Sequence, residues 1–362
     1  MELNARQVTA LLAWYRSQKR ILPWRETGDP YDVWISEIML QQTRVEFVKE
    51  RFIQFKDALP DIPSLASVTD DDLMKLWEGM GYYSRARNLK KCAQVLMDQY
   101  GGSLPADYNS LLTLPGIGPY TAGAIASIGC GIPVPAVDGN VLRVFARLMG
   151  DARDIRGADI RKDINACISR FLTAEATQMQ EDDPKFVPDF TQAWMELGAL
   201  ICVPNGEPHC TDCPLRNTCT AHKDKTTDTI PYRSPLKSRT VVDRTVAVIR
   251  DCNRFLLRKR PDKGLLAGLY EFPGYEGSLS KSELSKILIK EGLAPVRITA
   301  LPSSKHIFSH VEWHMTAYEV MIENIDEIPM ENAVLLTKKE LQRFAVPSAF
   351  HAYKDYYSWD QD

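Results

Sequence analysis

Hydrophobic positions recur at helical spacing over residues 1–221. In the N-terminal segment, one helical face carries the apolar residues Leu3, Val8, Leu11, Leu12 and Tyr15. Further helices, separated by short turns, are predicted for VWISEIMLQQTRVEFVKERFIQF, DDLMKLWEGM, ARNLKKCAQVLMDQY and YTAGAIASIG. This part of the chain therefore predicts a mainly α-helical domain.

The pattern changes after residue 221. Residues 222–239 are polar and basic, contain Pro231 and Pro235, and have the composition of an interdomain linker. Beyond them the order of segments is VVDRTVAVIRD, a polar turn, RFLLRKR, a helical SKSELSKILIKEG and a strand-like HMTAYEVMI. The first two segments predict a β-hairpin. We therefore expect a multidomain chain with a smaller α+β domain over residues 240–362.

Composition limits the class of protein. The chain has 362 residues and a net charge of −3, which by itself does not indicate a nucleic-acid binder. No apolar run approaches the roughly 20 residues that a membrane span needs, and the N-terminus lacks the pattern of a signal peptide. We expect a cytoplasmic protein without membrane contact, whose eight cysteines are reduced thiols or metal ligands. The scattered cysteines, expected to be buried packing residues, are Cys92, Cys130, Cys167 and Cys252.

Four other cysteines fall close together, with the spacing Cys202-x7-Cys210-x2-Cys213-x5-Cys219. Thiolates clustered in one loop suit zinc or an iron–sulfur cluster. Structural zinc sites more often use two short-spaced cysteine pairs, and only one such pair is present. The spacing favours an iron–sulfur cluster but leaves zinc open.

The string LPGIGPYT places Gly116 and Gly118 in a tight turn before a helical segment. Backbone N–H groups exposed by such a turn, together with the helix dipole, suit a DNA phosphate. A plain turn with capping glycines is the alternative.

Two carboxylates stand in unusual surroundings. Glu37 lies in the apolar run VWISEIML, where burial should raise its pKa and allow it to act as an acid; a structural ion pair with an arginine such as Arg25 is the alternative. Asp138 follows an extended segment and precedes a helical one, which predicts an N-cap that stays ionised. One protonated and one ionised carboxylate across a pocket are what glycosidic cleavage needs.

These motifs together resemble the helix-hairpin-helix DNA glycosylases with an iron–sulfur cluster, and more narrowly the MutY-type adenine DNA glycosylases. The matching segments cover nearly the whole chain: LPWR, SEIMLQQTRV, GMGYYSRARNL, LPGIGPYTAGAI, VDGNVLRV, ELGALIC, GLYEFPG and FSH. The resemblance implies a [4Fe–4S] cluster on the four clustered cysteines. It also implies a monomeric, monofunctional enzyme that flips adenine out of duplex DNA opposite 8-oxoguanine or guanine and hydrolyses its glycosidic bond, initiating base excision repair.

The resemblance also assigns roles to individual residues. Glu37 would protonate adenine at N7 and Asp138 would stabilise the sugar cation, supported by Tyr120 and Asn140. The residues matching the adenine pocket are Trp24, Arg25, Leu40 and Gln192. Positions that contact the duplex around the lesion are Gln42, Thr43 and Tyr82.

The second domain resembles a Nudix fold. Its segment SELSKILIKEGL lacks the dense glutamates of Nudix hydrolases, so it should recognise a lesion and not hydrolyse a nucleotide. Phe308, Ser309 and His310 match the family's loop that senses 8-oxoguanine. The chain departs from the family in the loop VPNGEPH, which is one residue longer than usual and carries no Lys or Arg. A direct DNA contact by that loop is therefore not expected.

Three alternatives remain at this stage. Endonuclease III, a related glycosylase and lyase, has a lysine at the position of Tyr120, and a tyrosine cannot form its Schiff base. A lesion-binding protein without catalysis would not need both Glu37 and Asp138. A nucleotide pyrophosphohydrolase would need the missing glutamates.

Overall fold

The computed structural model describes residues 2–236, 238–323 and 332–357, with side chains up to residue 353. The chain divides into two compact units. The first unit comprises Met1–Ser67 and Asn88–Pro235, and the second comprises Val68–Arg87 and Leu236–Asp362.

Helices make up the chain before the first strand. Their bounds are α1 Ala5–Gln18, α2 Pro30–Leu40, α3 Val45–Ala58, α4 Ile62–Ser67, α5 Asp70–Leu76, α6 Ser84–Tyr100, α7 Tyr108–Leu112, α8 Pro119–Ala124, α9 Gly139–Met149, α10 Ala158–Asp182, α11 Phe186–Leu200 and α12 Thr220–Lys223. Short 3₁₀ turns cover Pro23–Arg25, Cys210–Asp212 and Arg216–Thr218, and a π-helical turn at Ile125–Gly129 continues α8. Within the ranges described, no helix has both the length and the apolarity to cross a membrane.

Aromatic packing around α11 forms the centre of the first unit. Trp194 lies 4.6 Å from Phe145 of α9, measured between ring centroids, and Phe190 stacks on Phe171 of α10 at 5.7 Å. Most of the predicted apolar face of α1 is buried in the same core, where Val8 and Leu11 have no exposed surface. Each such buried side chain contributes roughly 1.5–3 kcal/mol through the hydrophobic effect. This packing holds α11 in place, and α11 carries residues that line the cleft described below.

The segment predicted as one helix over residues 33–55 forms two helices. α2 ends at Leu40 and α3 begins at Val45, and Gln42 between them has a φ of +58°. A left-handed residue cannot continue an α-helix, so the apolar periodicity runs on while the backbone turns. The prediction of a single helix was therefore wrong, and the break places the exposed Gln42 and the half-buried Thr43 in the loop between α2 and α3.

α7 and α8 form a helical hairpin around the LPGIG turn. Gly116 has a φ of +77°, and a Cβ atom there would lie 2.7 Å from the Cβ of Asn88. Only glycine fits this turn without strain and without moving Asn88. The turn sets the start of α8, which carries Tyr120 in its first turn.

The second unit contains a mixed sheet. Its strands are β1 Thr240–Arg250, β2 Arg254–Lys259, β3 Tyr270–Glu271, β4 Gly274–Glu276, β5 Pro295–Ile307, β6 Val311–Ile322 and β7 Ala333–Thr337. The order is β3-β2-β1-β6-β5, with β4 paired to β1 and β7 paired to β2. β1 runs parallel to β6, and β1 with β2 forms the predicted antiparallel hairpin.

Three helical segments accompany the sheet: α13 Lys281–Lys290, α14 Lys338–Leu341 and a 3₁₀ segment at Ser348–Tyr357. α13 starts at a capping box between Ser280 and Glu283 and buries Leu284 and Leu288. The fold class predicted from the sequence, a helical domain followed by a smaller mixed α/β domain, is confirmed.

Residues 68–87 lie early in the chain but pack within the second unit. The guanidinium of Arg87 donates to the carbonyl of Ala267 at 2.6 Å, and Glu78 accepts from the backbone N–H of Val346 at 3.1 Å. The sequence-based division assigned this segment to residues 1–221. Hydrophobic periodicity reports which face of a helix is buried but not which partner buries it, so this placement could not be predicted.

Much of the predicted linker is folded onto the first unit. Ile230 is buried, and its carbonyl accepts from Arg147 Nε at 2.7 Å. The backbone of Tyr232 pairs with Asp154. Although residues 222–239 have the composition of a linker, the part of this segment before Pro235 is therefore packed on the first unit.

Candidate active site

A cleft of about 770 Å³ opens in the first unit. The predicted catalytic and base-pocket residues that line it are Trp24, Arg25, Glu37, Leu40, Tyr120, Asp138, Asn140 and Gln192. Two predicted DNA-contacting residues, Gln42 and Thr43, lie at the same cleft. The tertiary structure thus brings together side chains from five separate stretches of sequence.

Glu37 lies on α2 and is only 8% exposed. The hydroxyl of Tyr120 donates a short hydrogen bond to its Oε2. Burial raises the pKa of Glu37 to about 7; the bond from Tyr120 and the charge of Arg25 oppose this rise, and the nearby Asp138 adds to it. A carboxyl group with this pKa can donate a proton near neutral pH.

Asp138 caps the N-terminus of α9, as the sequence predicted. Its Oδ1 accepts from the backbone N–H of Val141 at 2.7 Å, and its Oδ2 accepts from Asn140 Nδ2 at 2.7 Å. Burial nevertheless raises the pKa of Asp138, against these hydrogen bonds and the charge of Arg143. The expectation that capping keeps Asp138 ionised is therefore opposed by burial, which is the larger influence on its pKa.

Asn140 is held from both sides. Arg143 Nη2 donates to Asn140 Oδ1 at 2.8 Å, and Arg143 Nε donates to the carbonyl of Cys202 at 2.7 Å. The backbone of α11 also comes close, since a Cβ atom on Gly198 would lie 2.6 Å from the Cβ of Asn140. The amide that bonds Asp138 thus has a fixed orientation.

Arg25 forms its ion pair with Glu196, at 2.9 Å between Nη2 and Oε2. The same carboxylate accepts from Arg20 through the side-chain Nε and Nη2 and the backbone N–H, at 2.8–2.9 Å. Sequence reasoning missed Arg20 and Glu196, although ELGALIC was among the matching segments. The available signal was a carboxylate within an apolar helix, the same signal that identified Glu37.

The remaining pocket residues present apolar and amide surface. Trp24 is buried and meets Phe52 edge to face at 5.5 Å between ring centroids. Leu40 and Gln192 are half-buried, and Gln192 Nε2 donates to the carbonyl of Pro188 at 3.2 Å. An aromatic ring, an aliphatic group and an amide suit a planar heterocycle.

The four clustered cysteines line one small cavity of about 30 Å³. Each of them is half-buried and unpaired, and Arg147 Nη1 lies 3.3 Å from Cys202 Sγ. Among the described residues, no three His, Cys, Asp or Glu side chains converge as a single metal ion would require. Four thiols around one cavity suit the soft-ligand chemistry of an iron–sulfur cluster or of zinc.

Two of the four scattered cysteines differ from the prediction. Cys92 and Cys167 are buried, as expected. Cys130 is only half-buried and Cys252 is exposed, because Cys252 lies in the turn between β1 and β2. A tight hairpin turn points its residues to solvent, so the packing interpretation of Cys252 was wrong.

The second unit carries the other predicted DNA-contacting residues. Tyr82 is 46% exposed, has a φ of +45°, and its hydroxyl forms a short hydrogen bond with Ser309 Oγ. The loop of Phe308, Ser309 and His310 connects β5 to β6. Phe308 packs on Trp313 at 4.8 Å between ring centroids, which leaves Ser309 and His310 exposed. Tyr82, predicted to contact the duplex, and Ser309, predicted to sense the lesion, therefore touch each other.

Comparisons with known proteins agree with this geometry. Residues 35–169 match the HhH-GPD superfamily of base excision DNA repair proteins, and residues 245–355 match the NUDIX domain. The chain is 33% identical to a Mus musculus adenine DNA glycosylase, covering 96% of this chain and 77% of that protein. It is 32% identical to the adenine DNA glycosylase of Buchnera aphidicola from Acyrthosiphon pisum, covering 89% of this chain and 88% of that protein.

A solved structure of a thermostable thymine-DNA glycosylase is similar at a TM-score of 0.52 and 26% identity, over 60% of this chain and 97% of that one. The fold and the cleft with its two carboxylates thus define a base excision DNA repair glycosylase with a NUDIX-type second domain. The chain belongs to the adenine DNA glycosylase family. It is a DNA N-glycosylase that acts on adenine.

Proposed function

We propose that this glycosylase removes adenine paired with 8-oxoguanine, or with guanine, by flipping the adenine into the cleft and hydrolysing its glycosidic bond. The observation that carries the proposal is Glu37, a buried carboxyl group whose pKa is raised to about 7, in the same cleft as Asp138. A cleft of about 770 Å³ has room for a flipped nucleotide.

Glu37 acts as the general acid. Adenine is a poor leaving group as an anion, and protonation at N7 lets it depart neutral. The bond from Tyr120 fixes the Glu37 carboxyl, while burial raises its pKa enough that a large share of it is protonated near neutral pH. General acid catalysis of this kind contributes typically about 10²–10⁴-fold.

Asp138 acts as the anion that stabilises the positive charge developing on the sugar. Two carboxylates in one buried cleft repel each other, so the pair retains one proton over a range of pH. Asp138 has the backbone N–H of Val141 and the Asn140 amide as donors, which favours the charge on Asp138 and the proton on Glu37. Water then completes the hydrolysis at the sugar.

The reaction ends at base release. Tyr120 stands where endonuclease III has its Schiff-base lysine, and a phenol cannot form an imine with the sugar. The enzyme is therefore monofunctional and leaves an abasic site in an intact strand, for later enzymes of base excision repair.

Contacts to DNA are assigned to loops of the first unit. Gln42 and Thr43 on the α2–α3 loop would contact the duplex beside the flipped base. The exposed Gly116 and Gly118 turn would present backbone N–H groups to a phosphate. The DNA substrate is double-stranded, and we expect the protein to act on it as a monomer.

The second unit recognises 8-oxoguanine. Ser309 can both donate and accept hydrogen bonds, and its contact with Tyr82 couples the sensing loop to a residue expected to contact the duplex. Hydrolysis of nucleotides is disfavoured because the glutamates near α13 have structural partners. Glu283 caps the helix at Ser280, and Glu291 accepts from Arg258 and Tyr275.

A [4Fe–4S] cluster would be held by Cys202, Cys210, Cys213 and Cys219. When bound, it cross-links the end of α11 to the loops that follow it, and the chemistry in the cleft does not pass through it. The non-basic loop between Cys202 and Cys210 is assigned no DNA contact.

The experiment that tests the function uses a duplex with a single adenine–8-oxoguanine pair. Free adenine should appear, and the strand should break only after alkali. Matched duplexes with an adenine–guanine pair and an adenine–thymine pair measure the preference. Strand scission without alkali would instead indicate a lyase, and equal rates on all three duplexes would remove 8-oxoguanine from the proposal.

A further inference from the structure

Glu196 is a buried anion that binds two arginines in the catalytic cleft. It is 1% exposed, and its pKa is lowered to about 2; burial acts to raise the pKa, but the hydrogen bonds from Arg20 and Arg25 together outweigh it. It is therefore charged near neutral pH. A buried carboxylate is costly unless donors surround it, and the two arginines provide them.

Arg25 has two acidic groups within its electrostatic reach. Its charge acts on Glu37, lowering the pKa of that carboxyl, while its guanidinium hydrogen-bonds to Glu196. A direct Arg25–Glu37 ion pair would strongly favour the Glu37 anion. An anionic Glu37 cannot protonate a leaving base.

We propose that Glu196 is a positioning residue for base release: by holding Arg20 and Arg25 together, it keeps Arg25 from forming an ion pair with the acid Glu37. Arg25 can then line the base pocket without removing the proton that the reaction needs. The inference rests on the proposed acid role of Glu37.

The geometry explains why two arginines are engaged. Arg20 uses its Nε and Nη2 on the two oxygens of Glu196, a bidentate contact that fixes the plane of the carboxylate. Arg25 is then held at Oε2, with a further bond from its Nη1 to the carbonyl of Arg20. The charged and titratable groups that line the cleft with Glu37 are Arg20, Arg25, Tyr120, Asp138, Arg161 and Glu196.

The test is the pH profile of adenine release under single-turnover conditions with enzyme in excess, so that the rate reports the chemical step. The basic midpoint is the pH at which the rate has fallen to half its maximum on the alkaline side of the profile. Glu196→Gln should move this midpoint to lower pH, because a released Arg25 favours the Glu37 anion. For a fall of one pKa unit from about 7, the rate should drop about ninefold near pH 8 but less than about 1.5-fold near pH 5.5. A merely structural loss would lower the rate equally at both values.

The matched control is Asp189→Asn. Asp189 is also a buried carboxylate on α11 bonded to an arginine, Arg16, at 2.8 Å, but it does not line the cleft. Its variant should keep the wild-type midpoint. The double variant Glu196→Gln/Arg25→Met should return the midpoint to the wild-type value or above, because the released charge is gone.

An unchanged midpoint in Glu196→Gln would overturn the proposal. If that variant fails to fold, Glu196→Asp replaces it: its shorter carboxylate cannot span both guanidinium groups, so the midpoint should again fall, and a wild-type midpoint counts against the proposal. Failure of the proposed acid role gives a different result, because the wild type would then lack a basic limb and Glu37→Gln would remain active.

Discussion

Tyr120 donates its hydroxyl to Glu37, joining the first turn of α8 to the middle of α2. The two residues are 83 positions apart in sequence. This contact replaces the Glu37–arginine pair that was the alternative at the level of sequence, because Arg25 bonds to Glu196 instead. A buried carboxyl with a phenol as its hydrogen-bond partner can keep a proton that a guanidinium would remove.

The first prediction concerns Glu37 itself. Glu37→Gln should lower adenine release by about 10²-fold or more while retaining binding to the mispaired duplex, since only the acid is lost. In the wild type the rate should fall as pH rises through about 7, because the protonated carboxyl is the active form. Single-turnover rates and gel-shift binding measure the two effects. A fully active variant would exclude Glu37 as the acid.

Tyr120→Phe should move the basic limb of the pH–rate profile to higher pH, opposite to the shift expected for Glu196→Gln. The phenol stabilises the Glu37 anion and so lowers the pKa of that carboxyl, whereas burial raises it. Without the hydroxyl, the midpoint of the basic limb should rise, by up to about one pH unit. The same pH series measures this shift. A midpoint that falls or stays in place would mean that the hydrogen bond does not stabilise the Glu37 anion.

Asp138 has a structural and a chemical role, which two substitutions separate. Asn is as good an N-cap as Asp, so Asp138→Asn should leave thermal unfolding nearly unchanged yet lower the rate by about 10²-fold or more. Asp138→Ala should lose the cap as well, at about 1 kcal/mol of stability. Calorimetry and single-turnover assays distinguish the two roles. If Asp138→Asn kept the wild-type rate, the anion would not be needed.

Ser309→Ala should weaken the preference for 8-oxoguanine over guanine by about two- to tenfold, the value of one hydrogen bond. Ser304→Ala is the matched control, because Ser304 lies on the adjoining strand β5 and bonds to Tyr353. The ratio of rates on the two duplexes is the measurement. Equal discrimination in Ser309→Ala and the wild type would remove the serine from lesion recognition.

Cys213→Ser should reduce the iron and sulfide content of the purified protein and its visible absorbance, and should lower its thermal stability. Cys252→Ser is the control, since that thiol is exposed in the β1–β2 turn. Metal analysis for iron and zinc on both variants decides the cofactor. Zinc in place of iron in the wild-type protein would contradict the cluster.

The amino-acid sequence alone specified which chemical groups the protein has and the order of its two folds. Hydrophobic periodicity depends on local geometry, so the change from helical to strand-like spacing located the β1–β2 hairpin correctly. Residue chemistry also follows from sequence: Tyr120 cannot form a Schiff base, and Asp138 caps α9 as its neighbours predicted. The resemblance to adenine DNA glycosylases was carried by such residues.

Which of these residues meet depends on the packing of segments that are distant in sequence. Whether Glu37 bonds to Arg25 or Tyr120 depends on how α2, α8 and α11 pack, which no local pattern encodes. The same holds for Glu196 and for the packing of residues 68–87 in the second unit. α2 also ends at Leu40, where continued apolar spacing predicted more helix, because Gln42 adopts a left-handed backbone conformation. The side chains' environments, and hence their pKa values, follow from these contacts between distant segments.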